Sequence, residues 1–440
     1  MAVAGLFEEA GRELKRVAAR REKLIAEIKG LLPEKIKLCA MTDIISLEME
    51  RQRVKGLFAA TKNAFFLTGW VREQEAVQFS SLVKKQYQHI EIIISGPGPD
   101  DQPPVELKNP KILEPYEIIT QMYGMPHYAG IDPTPYLAPF FFVFFGLCLG
   151  DAGYGLVVIC IGLLLLFKMK LAAAGKKFVR LIISLGFATF IIGALLGGWF
   201  GNAPDFLPRQ LEFLKVMQKK ITILDPLGNS PDALKLIVIC LGLGLVHVLL
   251  GMCLKCITHI RKKSYAEGFL VDLPWILLIV SLLPLISAFI FKAQIPGVCL
   301  TVSTWIAYGS AGSILLFTGG VRGNIFVRLV QGAYALYGIS AYLADVMSYF
   351  RLFALGLAGG GIALAVNSIV KITITVPIAG PILAAGIFII GHSYNLLINI
   401  LGAFVHPARL QFLEFFMKFF EGGGKTFTPF KEETKYIIIE

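Results

Sequence analysis

Hydrophobic residues follow two contrasting patterns along the chain. Up to about residue 136 they are spaced among charged residues, and beyond that point they gather into eight apolar runs. Several of these runs reach the roughly 20 residues that a helix needs to cross a bilayer. The pattern predicts a mainly α-helical protein, with a polytopic membrane domain preceded by a smaller soluble segment. The runs cover about residues 137–149, 152–167, 178–200, 234–254, 269–290, 298–319, 331–366 and 378–420.

The soluble segment opens with a predicted coiled-coil helix that ends at Pro33. A single helix cannot bury such a seam, so the prediction requires a partner. The candidates are residues 36–60 folding back, another subunit, or sequence upstream of this chain. The apolar residues of the seam, at mostly 3-4 spacing, are Phe7, Ala10, Leu14, Val17, Leu24, Ile28 and Leu31.

A short α/β module follows this helix. An apolar patch at 64–71 precedes a predicted helix at 75–88 and a predicted strand at 90–95, and residues 96–104 form a loop rich in Gly and Pro. A proline-rich connector then leads to the membrane domain. We therefore divide the chain into coiled-coil helices of a partial cytoplasmic arm (1–62), an α/β lobe (63–108), a connector (109–136), a membrane domain (137–420) and a cytoplasmic tail (421–440).

The number of crossings follows from the basic residues. Clusters at 168–180 and 255–263 mark cytoplasmic loops, and the charged N-terminal segment lacks the apolar core of a signal peptide. An even number of crossings must then precede Lys168, so the first two runs count as two passages, with one kinked helix as the alternative. Eight transmembrane helices result, with both termini cytoplasmic. The last two runs must tilt, bend or project, since 36 residues make about 54 Å against a hydrocarbon core of about 30 Å.

Composition and charge support a membrane protein. Hydrophobic residues make up 55% of the chain and charged residues 17%, and the net charge is +11. That excess fits Lys and Arg beside cytoplasmic helix ends better than a nucleic-acid partner, because no basic cluster is interleaved with aromatics. The seven cysteines are scattered and predict no disulfide framework, and the pair Cys253 and Cys256 has no second pair or neighbouring His pair that would complete a metal site.

Enzymatic motifs fail on inspection. The segment 422–426 suggests a phosphate-binding loop, but Phe419 stands where that loop needs a glycine. The sequence contains no His-Glu zinc motif, nucleophile elbow or paired carboxylates. We therefore predict a non-catalytic protein that binds neither nucleotide nor another cofactor.

Arg351 lies well inside its apolar run. An arginine at bilayer depth costs roughly 2.5–3.5 kcal/mol on insertion scales, so such residues usually face a partner or a water-filled path. Snorkelling toward an interface is the alternative. Asp345, an acid among apolar neighbours, either pairs with an arginine or lines a channel. On a helical wheel it lies about 120° from Arg351, so both reach one place only if the helix bends.

The last apolar run carries a polar stripe, which ends in a second arginine. Its members fall within an arc of about 100°, which favours an aqueous path, although hydrogen bonding between helices would also explain it. The stripe consists of His392, Asn395, Asn399, Gly402, His406 and Arg409. On the preceding run, Gly356, Gly359 and Gly360 leave one side of the helix bare, and a partner helix could slide past there.

Long motifs in this part of the chain resemble one protein family. They extend over about residues 65–430 and resemble subunit I, or subunit a, of V-type and archaeal-type rotary ATPases. The motifs include Asp132-Pro133-Thr134-Pro135, Gly150-Asp151-Ala152-Gly153-Tyr154-Gly155, Leu343-Ala344-Asp345-Val346-Met347-Ser348-Tyr349 with Arg351, Gly402-Ala403-Phe404-Val405-His406 with Arg409, and Glu421-Gly422-Gly423-Gly424.

The resemblance implies a stator subunit beside a ring of proteolipids, with two offset half-channels for H⁺ or Na⁺. Arg351 and Arg409 would be the paired arginines between them, and arginine suits this role because it cannot release its proton. Implied partners are the proteolipid (c/K) ring, peripheral stalk subunits of E/G type and a central stalk subunit of C/d type, in a prokaryotic cell membrane. The candidate lining residues are Asp345, Ser348, His392, Asn395, Asn399 and His406.

The chain departs from the family pattern in three places. Eukaryotic relatives carry an acid near Asn399 and a histidine near Gly359, and the family's cytoplasmic arm is longer, so we expect a truncated or split-gene product whose residues 1–60 are mobile in isolation. The runner-up function is a secondary transporter that uses the polar stripe, although internal repeats are absent. A membrane enzyme would need a nucleophile or metal set. The ion and the direction of working stay open.

Overall fold

The computed structural model describes residues 2–98, 101–206, 212–290, 292, 294–318 and 325–430. They form two compact units. The first consists of residues up to Pro104 together with those from Phe427 onward, and the second is Val105–Thr426.

The first unit contains a long helix that corrects one prediction. Helix α1 spans Ala2–Lys55 and continues through Pro33, where the sequence predicted its end. Pro33 costs about 3 kcal/mol of helix propensity, but the flanking Leu, Glu and Lys residues are good helix formers. Because the helix is continuous, residues 36–55 cannot fold back as the partner of the seam. Among the seam residues whose side chains are described, Leu14 is 75% and Val17 64% exposed.

The rest of this unit is small. Strands β1 (Ala59–Ala60) and β2 (Phe65–Phe66) pair antiparallel, and the predicted helix lies at Glu73–Gln86 (α2). The strand predicted at 90–95 is wrong, because these residues have no strand structure. Ile93 is 78% exposed, so neither a pairing edge nor a covering layer is available to hold a strand there.

The second unit begins with the connector and its short helix α3 (Glu117–Tyr123). The following helices are α4 (Thr134–Leu149), α5 (Ala152–Lys168), α6 (Ala173–Leu195), α7 (Glu212–Ile221), α8 (Ser230–Arg261), α9 (Tyr265–Glu267), α10 (Leu273–Ile290), α11 (Gly297–Phe317), α12 (Ile325–Tyr337), α13 (Ile339–Met347), α14 (Phe350–Thr373), α15 (Gly380–Arg409) and α16 (Met417–Phe419). Two π-helical segments, Gly268–Asp272 and Leu410–Phe416, join α9 to α10 and α15 to α16.

Six helical stretches in the described part of the chain are long and apolar enough to cross a membrane. This confirms the prediction of a mainly α-helical, multi-pass membrane protein. The last two stretches are long, as predicted, at 49 residues (Ile325–Thr373) and 40 residues (Gly380–Phe419). The first two apolar runs form the pair α4 and α5, which is bent by 120°. Gly150 ends α4 in the left-handed conformation at φ 54°, which is the usual role of glycine after a helix.

Contacts around this pair show where it enters and leaves the bundle. Before the pair, Glu117 accepts a hydrogen bond of 3.0 Å from Lys177, which follows the pair on α6. The turn of the pair lies at the other end of α6, where Ala152 N donates to Gly198 O at 2.7 Å. The pair therefore reaches the far end of a full-length span and returns. The predicted total of eight counts it as two passages, and that total stays a prediction.

The chain also closes on itself at the connector. Strand β3 (Met125–Pro126) pairs antiparallel with β4 (Gly422–Gly424), which follows α16. Segments that precede and follow the spans along the chain thus meet at one end of the unit, which we call the connector end. The opposite end, at the α4–α5 turn, is the distal end. An even number of crossings must separate two segments that lie at the same end.

Candidate functional site

A buried polar cluster lies toward the distal end, where α5, α14 and α15 meet. It consists of Asp151, Tyr154, Asn367, His392 and Asn395, and we call it the distal cluster. The Tyr154 hydroxyl lies 2.7 Å from His392 Nδ1, and His392 Nε2 lies 3.0 Å from Asn367 Oδ1. Asn395 Nδ2 donates to the Tyr154 hydroxyl at 2.8 Å and to Gly359 O at 3.0 Å. The cluster therefore ties three helices together.

A donor and an acceptor can be assigned to each hydrogen bond of the distal cluster. Asn367 Nδ2 donates to Phe200 O at 2.7 Å, so its Oδ1 is the atom that accepts from His392 Nε2–H. His392 Nδ1 then accepts from the Tyr154 hydroxyl, whose oxygen accepts from Asn395. Asn399 extends the chain, because its Nδ2 donates to Asn395 Oδ1 at 2.6 Å. The imidazole is thereby a neutral Nε2–H tautomer with both nitrogens satisfied.

Asp151 fixes the loop that closes the distal end. Its carboxylate is 3% exposed and accepts backbone hydrogen bonds from Tyr154 at 3.1 Å, Phe200 at 2.9 Å and Gly201 at 2.7 Å. Phe200 has a positive φ of 47°, which is costly for a bulky side chain unless neighbours fix the backbone. The Asp151 bonds supply that constraint and hold the loop against Asn367.

The arginine predicted to act in ion transport begins α14. The backbone breaks between α13 and α14 at Ser348 and Tyr349, and Arg351 occupies the first turn after the break. Its side chain is half-buried, and its Nη1 atom is buried without a hydrogen-bond partner. The guanidinium lies within electrostatic range of His406 on α15. Arg351 therefore carries an unsatisfied donor inside the bundle.

A second polar cluster surrounds this arginine toward the connector end. We call it the proximal cluster, and its members are Asp345, Ser348, Arg351, His406, Glu414 and Lys418. Asp345 forms an ion pair with Lys418, and the Lys418 ammonium also lies 4.5 Å from the centre of the Tyr342 ring. Glu414 is 4% exposed and belongs to the π-helical segment Leu410–Phe416. Such segments often occur at functional sites.

The polar stripe of the last helix does not face one environment. His392 and Asn395 are buried, Asn399 and His406 are half-buried, and Arg409 is exposed. Arg409 is the last residue of α15, and its charge acts on His406 together with that of Arg351. The two arginines thus flank one histidine, with one inside the bundle and the other on its surface.

The glycines of α14 lie close to other elements of this chain. A side chain at Gly356 would meet Leu147 O of α4 at 2.5 Å, one at Gly359 would meet Asn399 at 3.0 Å, and one at Gly360 would meet Leu227 at 2.6 Å. Contacts within the chain therefore account for their small size, and the contact of these glycines with a partner ring stays a prediction. Their small size is required by the close approach of elements within the bundle.

Comparisons with known proteins agree with these motifs. The model of the V-type ATPase 116kDa subunit family matches residues 7–195. A-type ATP synthase subunit I of Methanocaldococcus jannaschii is 32% identical over 96% of this chain and 63% of the relative. The chain is thus homologous to subunit I of an A-type ATP synthase over most of its length. A-type ATP synthase subunit I of Pyrococcus horikoshii is 34% identical over 89% of the chain and 58% of the relative. The chain thus spans less than two thirds of the length of these relatives.

The structure also places in the site two residues that the sequence analysis did not single out, Glu414 and His247. Glu414 is the only acidic residue in the run 378–420, and that isolation was a signal for it. His247 is fully buried, hydrogen-bonds Tyr349 at 2.6 Å, and stacks between Phe140 and Phe415 at 4.4 and 4.2 Å. It supports the break before Arg351 from α8. Only the fold brings His247 to this place, because it lies 102 residues from Tyr349.

Proposed function

We propose that the chain is the membrane stator subunit of a V/A-type rotary ATPase. It provides two ion half-channels beside a proteolipid ring and couples the movement of H⁺ or Na⁺ to hydrolysis or synthesis of ATP on other subunits. The carrying observation is Arg351, a half-buried permanent cation of the proximal cluster with an unpartnered buried Nη1.

The chemistry of arginine supports this role. A guanidinium keeps its proton at any working pH, so it holds a passing carboxylate ionised and cannot itself carry protons across. A ring carboxylate would be neutral in contact with lipid and would release its ion on meeting Arg351. The missing hydrogen-bond partner of Nη1 is consistent with a partner on another chain.

The surface beside Arg351 suits such a partner. Exposed small residues follow it along α14 at spacings of four, three and four, namely Ala354, Ala358, Gly361 and Ala365. Residues three and four apart share one face of a helix, and small side chains let another helix come close. We add this face to Gly356, Gly359 and Gly360 as a candidate for the ring contact.

The two clusters are the candidate half-channels. The proximal one, with Asp345, Ser348 and His406, opens toward the connector end. The distal one, with His392, Asn395 and Asn399, lies toward the opposite face. Lys168, Lys177 and neighbouring basic residues are at the connector end, so we assign that end, and with it both termini, to the cytoplasm. The E/G and C/d stalk subunits would approach from that side.

The test is ATP-driven ion uptake by vesicles that contain the whole complex. We compare the unaltered subunit with Arg351→Ala and with Arg180→Ala, a matched control on the exposed face of α6, and check assembly by blot. We expect Arg351→Ala to abolish uptake while assembly survives, and Arg180→Ala to leave it intact. Uptake retained by Arg351→Ala would refute the proposal.

A further inference from the structure

Arg351 has no ion-pair partner among the described residues, and an acid lies next to it. The guanidinium is within electrostatic range of the Glu414 carboxylate. Glu414 is 4% exposed, and its Oε2 atom is buried without a hydrogen-bond partner. Arg351 Nη1 is unpartnered in the same way. Tyr349, two residues before Arg351, and Phe415, which follows Glu414, both contact His247, so the two opposite charges lie in one part of the bundle, each with one unused polar atom.

The other acid of the proximal cluster is already engaged. Asp345 forms an ion pair with Lys418, whereas Glu414 forms no ion pair in the described part of the chain. Ser348 lies against the Glu414 carboxyl group and precedes Arg351 by less than one helical turn. Glu414 is therefore the carboxylate of this cluster that is available to form an ion pair with Arg351.

The position of Glu414 also marks it out. It lies in the π-helical segment Leu410–Phe416, and such segments often occur at functional sites. The two residues that follow it, Phe415 and Phe416, are fully buried, so the segment is anchored immediately after the carboxylate.

We propose that Glu414 is the internal counter-ion of Arg351. It pairs with the guanidinium as each ionised ring carboxylate leaves, and it releases the guanidinium when the next one arrives. This inference rests on the proposed function and deepens it. A buried cation without any partner is strongly unfavourable, so a ring carboxylate would be held too tightly if nothing competed for the arginine. Glu414 supplies that competition and lets the ring carboxylate leave.

The test uses Glu414→Gln, which keeps the size and hydrogen-bonding ability of the side chain and removes its charge. Whole complexes in vesicles are assayed for ATP hydrolysis and ion uptake, and single complexes for ring rotation. We expect a lengthened pause at each proteolipid step and about tenfold slower turnover, with the ratio of ions to ATP unchanged. A packing defect would instead lower that ratio, because loosened helices leak. Glu267→Gln, with a side chain that is 65% exposed, is the control.

Two further variants test whether the charge of Glu414 is what matters. Glu414→Asp retains the charge and should keep at least half of the turnover. If Glu414→Gln does not assemble, the neutral double variant Arg351→Gln with Glu414→Gln should restore assembly, because neither charge is then left unpaired. Failure of that rescue would overturn the proposal, as would unchanged turnover in Glu414→Gln. Loss of uptake in Arg351→Ala together with normal Glu414→Gln would refute only the counter-ion and leave the stator function standing.

Discussion

Removing the Tyr154 hydroxyl distinguishes a dry distal cluster from a water-filled one. Tyr154→Phe deletes the atom that both His392 Nδ1, at 2.7 Å, and Asn395 Nδ2, at 2.8 Å, use as a partner. Asn395 keeps its bond to Gly359 O, whereas His392 Nδ1 loses its only partner in the structure. If the cluster is dry, that nitrogen becomes an unsatisfied acceptor in the interior of the bundle.

The expected cost follows from the two lost bonds. Hydrogen bonds between membrane helices contribute on average about 0.6 kcal/mol and at most about 1.7 kcal/mol each, so we expect the free energy of unfolding to fall by about 1–3 kcal/mol. If water fills the cluster, it replaces the hydroxyl and the loss stays below about 0.5 kcal/mol.

The assay is equilibrium unfolding of the full chain in mixed micelles, read by far-UV circular dichroism. Tyr394→Phe is the control, since Tyr394 lies on the same helix and is 64% exposed. A stability equal to that of the control would refute a dry cluster. Ion uptake by the complex would then show whether the same change alters transport, as a half-channel wall should.

Three other outcomes can be measured on the same preparation. Gly356→Ala should lower the unfolding free energy by about 1–3 kcal/mol through overpacking, whereas Gly361→Ala, which points into open space, should not. Lys177→Ala should cost about 1–3 kcal/mol, because it removes one partner of Glu117, which is 3% exposed and keeps its hydrogen bond from Asn109; a loss below about 0.5 kcal/mol would contradict this. Burial raises the pKa of Tyr116 to about 12, so stability should fall as pH rises from the unfolded value of about 10 to 12. Absorbance titration of Tyr116→Phe should lack that late step.

The membrane helices could be predicted from the sequence because lipid imposes one simple condition on them. Runs of about 20 apolar residues are required for each span. The run at 234–254 lies within α8, and residues 298–317 of the run at 298–319 lie within α11. The end of α1 could not be predicted in the same way. A single proline in an exposed helix is a local cost, and the helix formers around it decide whether the helix continues.

The polar stripe shows what the helical period of a sequence can predict and what it cannot. From His392 to Arg409 the stripe needs 17 residues for five steps, a mean of about 3.4 per step against 3.6 per turn of helix, so it drifts by about 100°. The structure shows the consequence, since His392 is buried and Arg409 is exposed. The partner of His392 could not be predicted, because Tyr154 lies 238 residues away.

The two clusters differ in how completely their hydrogen bonds are satisfied, and this difference indicates which one works with a partner. In the described part of the chain, the buried side-chain polar atoms without a hydrogen-bond partner belong, apart from Trp199, to His247, Arg351, His406, Gln411 and Glu414. All five lie around the start of α14 and the end of α15, whereas the Tyr154–His392–Asn367 chain leaves no ring nitrogen of His392 unused. An unsatisfied buried group is costly, so it persists where an exchangeable partner or water compensates for it. The distal cluster accordingly holds α15 against α14 and stays the candidate for the second half-channel, and we expect an arriving carboxylate to gain most at the proximal cluster.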